Sequence, residues 1–297
     1  MKEELEFRAR PATSRPRIRA ILPEETSMRK RGLCTVFALA LGSLTSAPAL
    51  SAGPSGWGDF SCMAITAFPA NISSPGVYCL SYKYIEFPMT DKFNPGVVGD
   101  ISALIYITSD NVVLDLNGTT LDGTPPDPAT AGITYGVFAV NNKTNIIRNV
   151  TVRNGTIKGF GVGVSLYGIG IPGDRSDMSP SSGHLVESIR ALGNRSIGIE
   201  VIGHDSVIRG NYVAGTALGG YGIRAVGKGA HVLENDIHNI NIGIDMESYG
   251  SGIAANNRIS HASFGISGSG VWGKYRDNIT TEVTSPYTGG TNIGNNN

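Results

Sequence analysis

Three ionisable residues occupy matching points of a recurring phrase. Glu200, Arg224 and Asp245 each follow a Gly-Ile pair, at spacings of 24 and 21 residues. Two carboxylates on either side of a cation suit three kinds of chemistry. One carboxyl can serve as acid and the other as base in glycoside hydrolysis. The acids can offer hard oxygens to calcium, with Glu247 as a further ligand. Arg224 can also simply screen two acids that would otherwise repel, an exposed charge ladder in which each pair contributes about 0–1 kcal/mol. Ser165 holds the same point one repeat earlier, and Tyr167 and Glu247 lie two residues beyond the variable points of their own phrases. His204 and Lys228 fall in the turns that follow.

The elements that must position these residues are readable from the phrase itself: Gly198-Ile199-Glu200-Val201, Gly222-Ile223-Arg224-Ala225, Gly243-Ile244-Asp245-Met246 and Gly265-Ile266-Ser267-Gly268. A period of about 22 residues holding two or three short strands and Gly-rich turns leaves no room for a helix of ordinary length. Such a repeat is a solenoid, in which residues distant in sequence stack over one another. Looser copies begin at Gly136 and Gly163, so that roughly seven coils are visible between Val112 and Ile279. Strand alternation puts Ile199, Ile223, Ile244 and Ile266 inside. The outward column then reads Phe138, Ser165, Glu200, Arg224, Asp245, Ser267. Coils about 4.8 Å apart place the Glu200 and Asp245 backbones roughly 9.6 Å apart, a span that side-chain tilt can bring to the carboxyl separation of inverting glycosidases.

A second phrase carries Asn211, Asn235 and Asn257 in register, each two residues before a Val or Ile. Asn tolerates the left-handed backbone region and can bond to its own copy one coil away, so the three read as a structural ladder. Asp115, beside Asn117 and Gly118, reads as a turn or ladder residue.

This motif pair resembles the right-handed parallel β-helix (pectate-lyase-like) superfamily over roughly residues 101–280. The resemblance implies an all-β, single-stranded right-handed parallel β-helix of roughly seven or more coils with an N-terminal cap. It also implies that substrate lies along an outward parallel-sheet face flanked by loops. By that analogy Ser165, Glu200, Arg224, Asp245, Tyr167 and Glu247 form the candidate surface. Two insertions, 124–131 and 168–183, interrupt the coils, and the second would wall one side of a groove. Of the motifs of polygalacturonase-like members the chain holds only Gly203-His204-Asp205, a partial match to Gly-His-Gly. Lyase chemistry would need Arg224 or Lys228 as a base, and the neighbouring acids work against that. His184, His204, His231, His238 and His261 fall at different phases of the coil, and no metal cluster is expected.

The N-terminus reads as an export signal. Arg29-Lys30-Arg31 precedes an apolar run from Leu33 to Leu44 and small residues through Ala52. Residues 1–27 read as a gene-model extension or a long leading region, 28–52 as the signal, 53–110 as an N-terminal cap, 111–285 as the β-helix and 286–297 as a tail or thin cap. Removing residues 1–52 takes nine Lys+Arg and five Asp+Glu from totals of 24 each, leaving a net charge of −4. That balance gives no basic stripe for nucleic acid. Cys62 and Cys79 remain as an even pair, the pattern of a disulfide in an oxidising compartment. The expectation is therefore an exported protein, secreted or held in the periplasm or cell envelope, without a lasting membrane span. It binds a polysaccharide and, where it is an enzyme, hydrolyses that polymer or, less favourably, cleaves it as a lyase, with Glu200, Asp245 and Arg224 as the catalytic set and no cofactor unless calcium. The alternative is a non-catalytic envelope or adhesion module.

Overall fold

The computed structural model describes residues 19–21, 62–87, 102–123, 134–140, 147–167, 182–215, 220–246, 252–268 and 273–297. Every regular element among them is a strand, and the chain winds all but Arg19–Ile21 into three stacks of parallel strands. The first stack holds the Gly-Ile phrases. It runs from Ala70–Ile72 through Ser102–Ile107, Thr134–Val140, Val162–Tyr167, Ile197–Ile202 and Tyr221–Val226. The C-terminal parts of Asp236–Met246, Arg258–Gly268 and Ile279–Thr288 complete it. The second stack runs from Met63–Ile65 to Thr291–Asn292. The third lies after a sharp corner, from Tyr84–Glu86 to the start of Ile279–Thr288. The chain is thus a parallel β-helix, with one apolar core running from Ile65 to Ile266.

The recurrent glycine has a steric cause. A Cβ on Gly198, Gly222 or Gly243 would lie 2.7, 2.6 or 2.7 Å from the carbonyl oxygen of the next phrase glycine. Successive coils therefore approach too closely for any side chain at this point. The column ends where Gly265 meets the Pro286 carbonyl.

The asparagine ladder is longer than the sequence suggested. The Asn235 amide oxygen accepts the backbone N–H and the side-chain NH2 of Asn211, each at 3.0 Å, while the Asn235 NH2 donates to Ile208 O and to Asn257 Oδ1, each at 3.0 Å. The same pattern continues through Asn257, Asn278 and Asn296. The left-handed bend falls one residue before the ladder, at Gly210, Glu234, Asn256 and Asp277. The ladder asparagines are needed for their two-sided amides rather than for a left-handed backbone.

Three boundaries differ from expectation. The coils begin within the segment read as a cap, because Met63–Ile65 and Gly76–Leu80 are already paired in parallel and Ala70–Ile72 lies on Ser102–Ile107. The segment read as a tail is coil: Thr291–Asn292 pairs with Lys274–Arg276, and Tyr275 and Tyr287 stack at 4.8 Å where the apolar core ends. Arg19–Ile21, in the stretch expected to take no part in the fold, pairs antiparallel with Tyr84–Glu86. That strand begins its stack and offers an open edge to any extended segment.

Cys62 and Cys79 form a disulfide, as the even pair suggested. The bond is compatible with an oxidising compartment. Among the described residues no helix is long and apolar enough to cross a membrane. The 124–131 insertion, and all of the 168–183 insertion except Ser182 and Gly183, lie outside the described residues.

Candidate functional site

The outward column of the first stack is in the expected register. Phe138 pairs with Ser165, Ser165 with Glu200, Glu200 with Arg224, Arg224 with Asp245 and Asp245 with Ser267. Its environment differs from the open polar strip that the sequence implied. Ser165, Glu200 and Asp245 are buried, and the Arg224 side chain is 17% exposed. The reason lies in the residues around them. Ala103, Tyr106, Phe138 and Val140 make a second apolar cluster on this outer face, with Tyr135 and Tyr167 packed against it. Tyr167 also packs against a small cluster formed by Ile202 and Val226 on the following coils. A face carrying this much aromatic and aliphatic area is driven out of water like a core.

Within it the charges hold one another. The Arg224 Nη1 donates to Glu200 Oε1 at 3.1 Å, and Nε lies 3.6 Å from Asp245 Oδ2, a charge contact beyond hydrogen-bond length. Ser165 Oγ donates to Glu200 Oε2 at 2.8 Å. Both oxygens of Glu200 thus have protein partners, and the guanidinium fills the space between the two carboxylates. Burial, and then the Glu200 charge, push the Tyr135 phenol up from its ordinary value. Removing Arg224 alone would leave two close carboxylates without their cation, a loss of about 3–5 kcal/mol for a buried network.

The other expected residues lie apart from this triplet. His204 and Lys228 occupy equivalent turns of successive coils, after Ile202 and Val226. There the Lys228 backbone N–H donates to His204 Nδ1 at 2.8 Å. His204 thereby ties two turns together rather than reaching the column. Glu247 lies outside the described residues. Among the described residues no three His, Cys, Asp or Glu side chains converge as a metal ion would require. Asp115 is a ladder residue on the second stack, accepting from Arg153 Nε at 2.9 Å and from the Asn117 N–H.

Sequence reasoning missed a second outward column. The residue before each phrase glycine also faces out, because the glycine interrupts the alternation. Tyr135 stacks on outward Phe138 with centroids 4.3 Å apart, and Arg224 lies 5.8 Å from the Tyr221 ring centre. In register down the stack this column reads Tyr135, Val162, Ile197, Tyr221, Ile242 and Phe264. It opens towards its C-terminal end, where Tyr221 and Ile242 are half-buried and Phe264 is 38% exposed. The signal was present as an apolar residue before every phrase glycine.

No family model matches the sequence. No curated protein matches it. Among solved structures the chain is similar to the A-module of mannuronan C-5 epimerase AlgE6 from Azotobacter vinelandii, with 12% identity and a TM-score of 0.33, over 75% of this chain and 91% of that one. A likeness at that score carries no argument about the activity of this chain.

Proposed function

We propose that this protein binds a polysaccharide along the outer face of its first strand stack. One observation carries the reading: the half-open stripe of Tyr221, Ile242 and Phe264, running along the solenoid axis beside Arg224 and Ser267. Ring faces suit the apolar faces of sugar rings, and a flanking guanidinium and hydroxyl suit their hydroxyl groups. Tyr221 and Phe264 are two coils apart, roughly 9.6 Å at the backbone, so one extended polymer lying along the axis would meet both. In this reading Glu200 and Asp245 hold Arg224 in place, and the column binds rather than hydrolyses. Export to the medium, periplasm or envelope belongs to the same proposal, supported by the Arg29–Ala52 pattern and by the disulfide.

The test is affinity electrophoresis of the purified chain through gels containing neutral or acidic polysaccharides, with reducing-end release and ultraviolet detection of unsaturated products measured alongside. Retardation by at least one polymer, lost in Tyr221→Ala and Phe264→Ala, is the expected result. Retardation unchanged in both variants, or absent from the whole panel, refutes the face. Product release abolished by Glu200→Gln would restore the hydrolytic reading.

A further inference from the structure

A different set of side chains meets on the outer face of the third stack, around Ser260. Its hydroxyl lies 2.6 Å from His238 Nδ1, directly beneath it in register on the preceding coil. His238 Nε2 in turn lies 2.7 Å from Asp236 Oδ1, two residues earlier on the same strand. This carboxylate oxygen is buried and off the axis of the ring N–H, so it contributes charge to the imidazole rather than an aligned bond. On the other side of Ser260, His261 Nδ1 is 3.1 Å from the hydroxyl, and His261 Nε2 is 2.8 Å from Glu282 Oε2.

Proton counting gives this chain of five groups its meaning. With a carboxylate beside each Nε2, the proton of a neutral imidazole is favoured there, leaving both Nδ1 lone pairs directed at one hydroxyl. That hydroxyl has one proton and two bases. A serine hydroxyl hydrogen-bonded to an imidazole, with a carboxylate charge beside the far ring nitrogen, is an arrangement that turns a hydroxyl into a nucleophile.

The backbone supplies a second, independent observation. From Gly159 onward the corner after this strand takes a left-handed residue in six successive coils, and the column reads Gly159, Gly193, Gly215, Asn239, His261, Glu282. Glycine or asparagine takes the bend in four coils. The histidine and glutamate that flank Ser260 take it in the other two, at φ of 54° and 55°. Each costs about 1–2 kcal/mol relative to glycine, and strain of this kind gathers at functional sites.

We propose that Ser260 is an acyl-accepting nucleophile, with His238 as its base, acting on small carboxylic esters. Ser260 Oγ attacks the ester carbonyl carbon and its proton passes to His238 Nδ1. The tetrahedral adduct expels the alcohol, which takes that proton, and leaves the acyl group on Ser260. Water then attacks the acyl carbon, giving its proton to His238. Release of the carboxylic acid returns the proton to Ser260, so that ester and water become acid and alcohol. Exposed Arg258, two residues before Ser260 on the same face and in register with Asp236, provides positive charge for the developing oxyanion. Asp236 is a positioning residue. The site stands on a different face from the polysaccharide stripe and does not depend on it.

The experiment is labelling of the full chain with a fluorophosphonate probe, mapped by peptide mass spectrometry, with p-nitrophenyl acetate hydrolysis measured in parallel. A single adduct on Ser260 is expected, absent from Ser260→Ala. Labelling should slow about 100-fold in His238→Gln, the range of a lost general base, and by less than about tenfold in His261→Gln. Asp236→Asn should move the pH profile of labelling. Far-UV circular dichroism and the unfolding midpoint establish that each variant is folded. No adduct on Ser260 in the folded chain, or wild-type labelling of folded His238→Gln, overturns the proposal.

Discussion

Asn235→Ala strikes the middle of the asparagine ladder, and its cost can be worked from the bonds lost. The side chain is 1% exposed and takes part in four hydrogen bonds. Truncation leaves two groups without a partner, the Asn211 backbone N–H and one hydrogen of the Asn211 amide, while the Ile208 carbonyl keeps its place in the parallel ladder with the next coil. Asn257 Oδ1 keeps the Asn235 backbone N–H at 2.9 Å and is not orphaned. Each buried orphan costs about 1–3 kcal/mol, so the loss is at least about 2 kcal/mol. Asn296→Ala removes the last rung, where the residue is half-buried and water can replace the lost acceptor. Its cost should be no more than about 1 kcal/mol. Equilibrium urea unfolding followed by circular dichroism compares the two variants with the parent chain. A loss below about 1 kcal/mol for Asn235→Ala, or one no larger than for Asn296→Ala, would refute the account of the ladder as a buried network whose interior rungs have no substitute donors or acceptors.

Three more outcomes follow from the corners and the core. Gly222→Ala puts a methyl 2.6 Å from the Gly243 carbonyl oxygen and should destabilise by about 1–3 kcal/mol in the same unfolding assay, whereas a neutral result would dismiss the close-approach explanation of the repeat. Glu234→Asn should stabilise by about 0.5–1 kcal/mol, because Glu234 sits at a φ of 57° and the next coil already uses asparagine there. His184 is buried, accepts the Val150 N–H on its ring at 3.3 Å and is held down by burial to about 4, with the Asp110 charge opposing. Its folded value lies below its unfolded one, so the unfolded chain takes up the proton first as the pH falls. Stability should drop by about 3 kcal/mol between pH 6.5 and 4, and His184→Gln should flatten that part of the pH–stability curve.

The sequence disclosed the fold because a solenoid repeats its constraints. The close approach of neighbouring coils forces glycine at 198, 222 and 243, and the buried rung forces asparagine at 211, 235 and 257. Asn278 and Asn296 escaped notice because the Gly-Ile phrase lapses after Ser267, although the ladder does not. The register of Ser165, Glu200, Arg224 and Asp245 was equally legible, since alternation alone sets it. Their burial was not, because it depends on a second outward column that the phrase glycine displaces from simple alternation. The Ser260 cluster was hidden for another reason. Asp236, His238, Ser260, His261 and Glu282 lie on three coils and share no phrase. Their meeting needs both the coil length and the corner position, and a search for one column of histidines passes over it.

The ladder also has a direction. Each asparagine donates its backbone N–H and one side-chain N–H towards the amide oxygen of the following coil, and its own amide oxygen receives from the one before. During synthesis a newly made coil therefore presents donors whose acceptors have not yet been translated. Each coil is completed only by its successor, as Asn278 is by Asn296. A chain whose synthesis has just passed Asn278 therefore carries an unanswered amide at its growing tip, and each coil waits on the next for its last hydrogen bonds.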